Sequence, residues 1–171
     1  TKRTYDDEKL IQAVHNHFRS TSLWAECCAM NKAIPAPLDE KTMYSLYVLG
    51  TLVKSSKEVA DFYQELRDEV KYRMDNQIAA VATERCRVMT DSQPPWAFLK
   101  IWRYLEQFGV VSVGSLYTFF IGAFDRLEDG TWIAAKTPQQ KGVEIRNREQ
   151  AVRSLAELEL TIQAEPGEGL D

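Results

Sequence analysis

Six basic side chains gather in the last third of the chain and could contact phosphate groups. They surround an irregular segment and the start of the predicted last helix, where backbone amides also favour anions. Between residues 136 and 153 the chain has five bases against two acids. Such a patch can hold phosphates without reading base order, although a solvated helix entry has the same composition. The six candidates for nucleic-acid binding are Arg126, Lys136, Lys141, Arg146, Arg148 and Arg153.

The sequence contains no familiar catalytic motif. Its eight glycines are scattered and form no phosphate-binding loop, and neither a nucleophile elbow nor a His-Glu-x-x-His zinc motif occurs. His15 and His17 lie two residues apart, so on one helix they face different directions and cannot share a metal ion. The sequence therefore predicts a protein that is not an enzyme, with no cofactor and no metal site.

The three cysteines indicate a reducing environment. Cys27, Cys28 and Cys86 are odd in number and include no Cys-x-x-Cys pair, so they form neither a disulfide framework nor a familiar thiolate site. Buried free thiols are favoured over reactive ones. No stretch approaches the ~18 apolar residues of a membrane span. We therefore expect an intracellular location such as the cytoplasm and no contact with a membrane.

These candidate groups must be positioned by a fold that the sequence predicts to be helical. The 171 residues, 44% of them hydrophobic, suffice for one domain with a sizeable core. Apolar residues recur at spacings of three and four, which indicates an all-α bundle of five to seven helices. The segment 131–145 fits either one small β-hairpin or a long loop. Residues 1–163 are expected to form the helical domain, and residues 164–171 a flexible acidic tail.

Caps and breakers delimit the predicted helices. Ser20-Thr21-Ser22 is expected to interrupt the first helix, and Asp39 to cap the helix that follows the Pro35 and Pro37 loop. A single helix of about 30 residues is predicted from Ser56 to near Met89 by its apolar spacing. A further helix is expected to end at Gly109, and another to begin at Ser112. The last helix is predicted near residues 146–164.

The segment Gly122-Ala123-Phe124-Asp125-Arg126 is followed, after a loop, by Arg146-Asn147-Arg148-Glu149-Gln150-Ala151. Together these segments resemble the C-terminal core of coat proteins from filamentous and rod-shaped plant RNA viruses. The resemblance implies a helical bundle whose subunits wind into a helix around single-stranded RNA. It also implies that Asp125 is a buried structural carboxylate paired with an arginine. The candidates for that partner are Arg85, Arg103 and Arg146.

A second resemblance points to another class. Val111–Tyr117 and Arg126–Ile133 resemble the recognition helix and wing of PadR-type repressors, which implies a winged-helix DNA-binding regulator. The intervening residues 118–124 are too apolar to face a major groove. This interpretation therefore ranks below the coat protein.

The leading hypothesis is a non-enzymatic, self-assembling coat protein that packages single-stranded RNA in a virion. The apolar density of residues 43–53 and 116–124 predicts homo-oligomers or filaments. An acidic tail on a nearly neutral body suits a polymer, since strongly basic subunits would repel one another. A DNA-binding regulator and a helical protein–protein adaptor are the alternatives, and the size of the multimer distinguishes the three.

Overall fold

The computed structural model describes residues 4–91 and 93–164, and this part of the chain has a mixed α/β fold. Six α-helices and one 3-10 turn are combined there with four short strands, so the all-α prediction is wrong. The elements in chain order are α1 (Asp7–Met30), α2 (Glu40–Leu52), α3 (Lys57–Asp75), β1 (Cys86–Thr90), the 3-10 turn (Trp96–Phe98), α4 (Lys100–Glu106), β2 (Val110–Ser115), α5 (Leu116–Phe119), β3 (Phe124–Arg126), β4 (Trp132–Ala134) and α6 (Arg148–Ala164).

Helix α1 is continuous and forms the largest part of the core with α2 and α3. Ser20-Thr21-Ser22 lies within it and does not interrupt it. The Thr21 hydroxyl donates to two backbone carbonyls one turn earlier, at 3.1 Å each, instead of capping a new helix. Trp24 and Tyr63 are fully buried with ring centroids 5.5 Å apart. The Trp24 indole N–H donates to the Thr118 carbonyl at 2.7 Å, which ties this core to α5.

Helix α3 is much shorter than predicted. It begins after Ser56, whose hydroxyl accepts a hydrogen bond from the Val59 amide, and it ends at Asp75. Gln77 then adopts a left-handed φ of 55°, a backbone conformation that cannot continue an α-helix. The predicted single helix from Ser56 to Met89 is therefore wrong, because its last residues belong to strand β1.

Strands β1 and β2 are parallel neighbours joined through α4. Their register places Cys86 opposite Val110 and Thr90 opposite Ser115. A parallel pair needs a crossover connection, and the 3-10 turn with α4 supplies it. Gly109, with a φ of 80°, ends this crossover at the position predicted for a helix C-terminus. The two strands therefore leave their carboxyl ends at the same edge.

The helix predicted to begin at Ser112 is wrong, because this residue lies inside β2. The run of β-branched residues in Val110-Val111-Ser112-Val113 favours a strand. Val111 is fully buried, and Ser112 is buried as well. The chain turns into the four-residue helix α5 only after Ser115, whose side chain caps it.

The hairpin is formed by other residues than those predicted. Strands β3 and β4 pair antiparallel, with Phe124 opposite Ala134 and Arg126 opposite Trp132, whereas the prediction placed the hairpin within 131–145. Gly130, with a φ of 81°, lies in the turn between them. The last helix, α6, confirms the prediction near residues 146–164.

No helix in residues 4–91 and 93–164 is long and apolar enough to cross a membrane. The predicted acidic tail, residues 164–171, lies outside the described residues except for Ala164, the last residue of α6. That residues 1–163 form a single domain stays a prediction, although its helical character is corrected above.

Candidate functional site

Glu40, the first residue of α2, is an acid in the interior of the protein. Asp39 caps α2 by accepting a hydrogen bond from the Thr42 amide at 3.0 Å, which confirms its predicted role. Glu40 follows directly and is only 1% exposed. Its Oε2 atom accepts a hydrogen bond from the Ser112 hydroxyl at 2.9 Å, whereas its buried Oε1 atom has no partner among the described residues. Buried polar atoms are rarely left unpaired, so this oxygen needs an explanation.

The surroundings of Glu40 favour its neutral form. Burial is the main cause that raises the pKa of its carboxyl, while the nearby hydroxyl groups of Ser115 and Ser112 lower the pKa and offset part of the rise. The adjacent Asp39 carboxylate acts in the same direction as burial. Arg103 reaches this turn but contacts Asp39, at 3.5 Å, and Glu40 forms no ion pair within the described part of the chain. A neutral carboxyl can donate a hydrogen bond or a proton.

Further hydroxyl groups lie at the same edge of the strand pair. Thr90 and Ser115, opposite each other in the register, end β1 and β2. The Tyr44 hydroxyl lies 3.5 Å from Thr90 Oγ1. Ser115 is fully buried and its hydroxyl accepts a hydrogen bond from the Thr118 amide at 3.1 Å. The carboxyl ends of parallel strands are where open α/β sheets bind ligands.

Aromatic rings cover this group of polar residues. Tyr44 is buried, and its ring centroid lies 5.9 Å from that of Trp96 and 6.4 Å from that of Tyr117. Trp96 follows β1 in the 3-10 turn and is 48% exposed. We call the whole group the carboxyl edge: it consists of Glu40, Tyr44, Thr90, Trp96, Ser112, Ser115 and Tyr117. It combines a buried acid and hydroxyls inside with aromatic rings outside.

The described part of the chain contains no metal centre. No group of three or more His, Cys, Asp or Glu residues there could hold a metal ion. Burial raises the pKa of Cys27 to about 12 and raises that of Cys28 well above its ordinary value. A thiolate at either position is therefore costly, in agreement with inert, buried thiols. Cys86, at the start of β1, is exposed.

The structure distributes the six predicted phosphate-binding residues over the basic segment, residues 126–153, and gives four of them an acidic neighbour. Arg148 Nη2 lies 2.7 Å from Asp7 and Arg153 Nε lies 2.9 Å from Glu157. Arg146 pairs with Glu144. Lys141 lies 3.8 Å from Asp125. The two remaining bases are Arg126, whose guanidinium lies over the Trp132 ring, and the exposed Lys136.

Asp125 does not have the surroundings that the resemblance to coat proteins implied. It lies on β3 with 44% of its side chain exposed, and its ionic neighbour is a lysine, Lys141. Of the arginines proposed as its partner, Arg103 instead contacts Asp39 and Glu106, and Arg146 contacts Glu144. A buried pair between Asp125 and an arginine is therefore absent from the described structure.

Sequence reasoning missed the carboxyl edge entirely. Glu40 stands in the sequence as one acid after a helix cap, with no motif around it. The useful signal was the pair of short segments rich in β-branched or polar residues, 86–90 and 110–115, on either side of a helix. That order is typical of a strand, a crossover helix and a parallel strand. It would have placed Thr90 and Ser115 at one edge.

A strand–helix–strand unit with acid and hydroxyl groups at its carboxyl edge is typical of the α/β class of enzymes and ligand-binding proteins. The model of one family, the 2-hydroxyglutaryl-CoA dehydratase D-component, matches residues 1–139. The chain belongs to this family. No curated protein and no solved structure gives a match. All residues of the carboxyl edge lie within the matched part, whereas α6 lies beyond it.

Membership of this family corrects the functional hypotheses. The chain is neither a viral coat protein nor a winged-helix regulator. The prediction that the protein is not an enzyme is also wrong, because the family is one component of a dehydratase. Members of such a component family work with partner subunits. RNA as a partner and a virion as the location have no support. The contact of the six bases with nucleic acid stays an untested prediction.

Proposed function

We propose that this chain is part of a 2-hydroxyacyl-CoA dehydratase and that its carboxyl edge faces the substrate, with Glu40 as the acid group of that edge. The observation that supports this most strongly is the buried Oε1 atom of Glu40, which has no partner among the described residues. The Glu40 carboxyl contacts Ser112 within β2, and Ser115 at the carboxyl end of the same strand is near enough to lower its pKa. The carboxyl ends of parallel strands are the usual position for ligands in α/β folds.

The chemistry of the family fits an acid of this kind. Removal of water from a 2-hydroxyacyl thioester breaks the C–O bond at carbon 2 and a C–H bond at carbon 3. The departing hydroxyl group takes up a proton from an acid, and the proton from carbon 3 leaves to a base. A carboxyl whose pKa is raised by burial keeps its proton closer to neutral pH than an exposed one. The hydroxyl of Ser112 holds the other oxygen of Glu40 at 2.9 Å and so fixes the orientation of the carboxyl.

The test is the rate of dehydration of 2-hydroxyglutaryl-CoA by the complete enzyme, assembled from the full component and its partner components. Glu40→Gln keeps the size of the side chain and removes the acid. We expect kcat to fall by about 10² or more, the usual effect of losing a general acid. An unchanged melting temperature would show that the fall in kcat is not caused by unfolding of the variant.

Glu26→Gln is the matched control. Glu26 is also a partly buried acid, but it pairs with Arg67 at 2.7 Å in the contact between α1 and α3. We expect this variant to keep kcat within about twofold. A partly exposed ion pair between two helices contributes a little to the stability of the fold and takes no part in the reaction. A Glu40→Gln enzyme with the kcat of the control would refute the role of Glu40.

We further propose that the partners are protein components and that the protein works in the cytoplasm. The family supports both, since it describes one component of an enzyme acting on a CoA thioester. Self-association through the apolar segments 43–53 and 116–124 is retained as a proposal. Light scattering over a wide range of concentrations tests it, and a constant monomer mass would refute it.

A further inference from the structure

We propose that the exposed indole of Trp96 is the platform on which the adenine ring of coenzyme A stacks. This inference rests on the proposed function and adds to it the position of the nucleotide part of the substrate. Trp96 lies at the outer side of the carboxyl edge and is 48% exposed. An indole with an open face binds a flat heteroaromatic ring well, and every base has such a face.

The backbone holds this indole in place. The Trp96 amide donates to the Pro94 carbonyl at 2.8 Å, and the Phe98 amide donates to the Pro95 carbonyl at 2.6 Å. The two prolines have a fixed φ and Pro94 is buried, so the turn has little conformational freedom to lose when a ligand binds. A platform of this rigidity is expected to bind with a small entropic cost.

The neighbouring rings support the indole without stacking on it. Tyr44 and Tyr117 each have their ring centroids 5.9 Å from that of Trp96, with interplanar angles of 55° and 73°. At such angles neither ring lies parallel to the indole. Both tyrosine rings are inclined to the indole, and nearly half of the surface of Trp96 remains open to solvent.

Trp132 provides a contrast within the same chain. It is 39% exposed, but the Arg126 guanidinium lies 5.9 Å from its ring centroid, so this indole already has a cation over it. Trp24 is completely buried, and Trp102 is partly buried. Among the described tryptophans, Trp96 alone combines an exposed ring with a position at the carboxyl edge.

Cations on the next element suit the phosphates of the same ligand. Lys100 and Arg103 lie on α4, directly after the 3-10 turn, and both are exposed. Arg103 also contacts Asp39 and Glu106, so Lys100 is the first candidate for the phosphates. Coenzyme A carries its phosphates next to the adenosine, so a nucleotide stacked on Trp96 would bring them close to α4. Its pantetheine arm would then extend from Trp96 across the carboxyl edge towards Glu40.

The experiment measures binding to the full-length protein by calorimetry with three probes: coenzyme A, pantetheine without the nucleotide, and ADP. Trp96→Ala is expected to weaken the binding of coenzyme A by about 5- to 150-fold, since stacking of a base on an aromatic ring is worth about 1–3 kcal/mol. The affinity for pantetheine is expected to stay within about twofold. Trp132→Ala, the matched control, is expected to change neither.

A second measurement covers the case in which Trp96→Ala disturbs the fold. Adenine stacking quenches indole fluorescence, so addition of coenzyme A is expected to quench the wild-type protein and the Trp132→Phe variant. The quenching should be lost in Trp96→Phe, which retains an aromatic ring but has no indole. Quenching that survives in Trp96→Phe would overturn the assignment.

The outcomes separate this inference from the proposed function. If the wild-type protein binds no coenzyme A, both are refuted. If coenzyme A binds equally well to the wild type and to Trp96→Ala, the platform is refuted and the proposed function stands. If ADP binds as tightly as coenzyme A, the platform serves free adenine nucleotides and the assignment to coenzyme A is overturned.

Discussion

At the carboxyl edge an acid lies inside the protein without a cation among the described residues, whereas along the basic segment four of six bases lie beside an acid at the surface. The first arrangement is costly and needs a functional reason, because burial opposes the charged form of Glu40. The second is ordinary, since exposed ion pairs contribute little energy. A cluster of charged residues in a sequence is therefore weaker evidence for a functional site than one buried ionisable group without a counter-ion.

The largest effect should come from reversing one charge in each region. Glu40→Lys would bury an ammonium next to Ser112 and below the aromatic rings, and we expect it to cost more than about 4 kcal/mol or to prevent folding. Glu144→Lys removes the exposed partner of Arg146 and should cost less than about 0.5 kcal/mol. Chemical denaturation measures both. Similar losses for the two variants would erase the contrast between the regions.

The next effect concerns His17, a buried base between the core and α6. Burial, together with the nearby Lys54, lowers the pKa of His17 to about 4, against 6.5 in an unfolded chain. The unfolded state therefore binds more protons as the pH falls from 6.5 to about 4, and the folded state loses up to about 3 kcal/mol over this range. His17→Gln should lose less stability over the same range. Urea denaturation at pH 7 and pH 4 compares the two proteins, and parallel curves would contradict this account.

Glu40 should show the opposite dependence on pH. Its pKa is raised in the folded state by burial, so the unfolded state releases this proton first as the pH rises above about 4.5. The wild type therefore loses stability relative to Glu40→Gln between pH 4 and pH 7. The measurement is the difference in unfolding free energy between the two proteins at each pH. A wild type that gains stability relative to Glu40→Gln as the pH rises would show that a cation neutralises Glu40.

The smallest effect should be that of a surface pair in the basic segment. Arg148 donates two hydrogen bonds to Asp7 Oδ1, at 2.9 and 2.7 Å, yet about half of each side chain is exposed. A double-mutant cycle of Arg148→Ala and Asp7→Ala should give a coupling energy of about 0.2–1 kcal/mol. The coupling should weaken further in high salt. A coupling above about 2 kcal/mol would make this pair a structural feature comparable to the carboxyl edge.

Part of this fold could be predicted from the sequence because it depends on neighbours along the chain. The cap at Asp39, the left-handed Gly109 and the extent of α6 follow from local hydrogen bonds and backbone geometry. Apolar spacing gave the wrong prediction between residues 76 and 90. The apolar residues there repeat as they do in a helix, but helix α3 has already ended before Gln77 and the segment continues into strand β1. Periodicity reports which residues are buried, and a short strand can satisfy the same pattern.

By itself the sequence determined most helices, their caps and the uneven distribution of charge. Only the tertiary structure decided that residues 86–90 and 110–115 pair as parallel strands. Parallel pairing is non-local, because its hydrogen bonds join segments separated by a whole crossover. The same pairing sets Ser112 against Glu40, which precedes it by 72 residues. The burial of that acid and the raised pKa that follows depend on surroundings that no single stretch of the sequence contains.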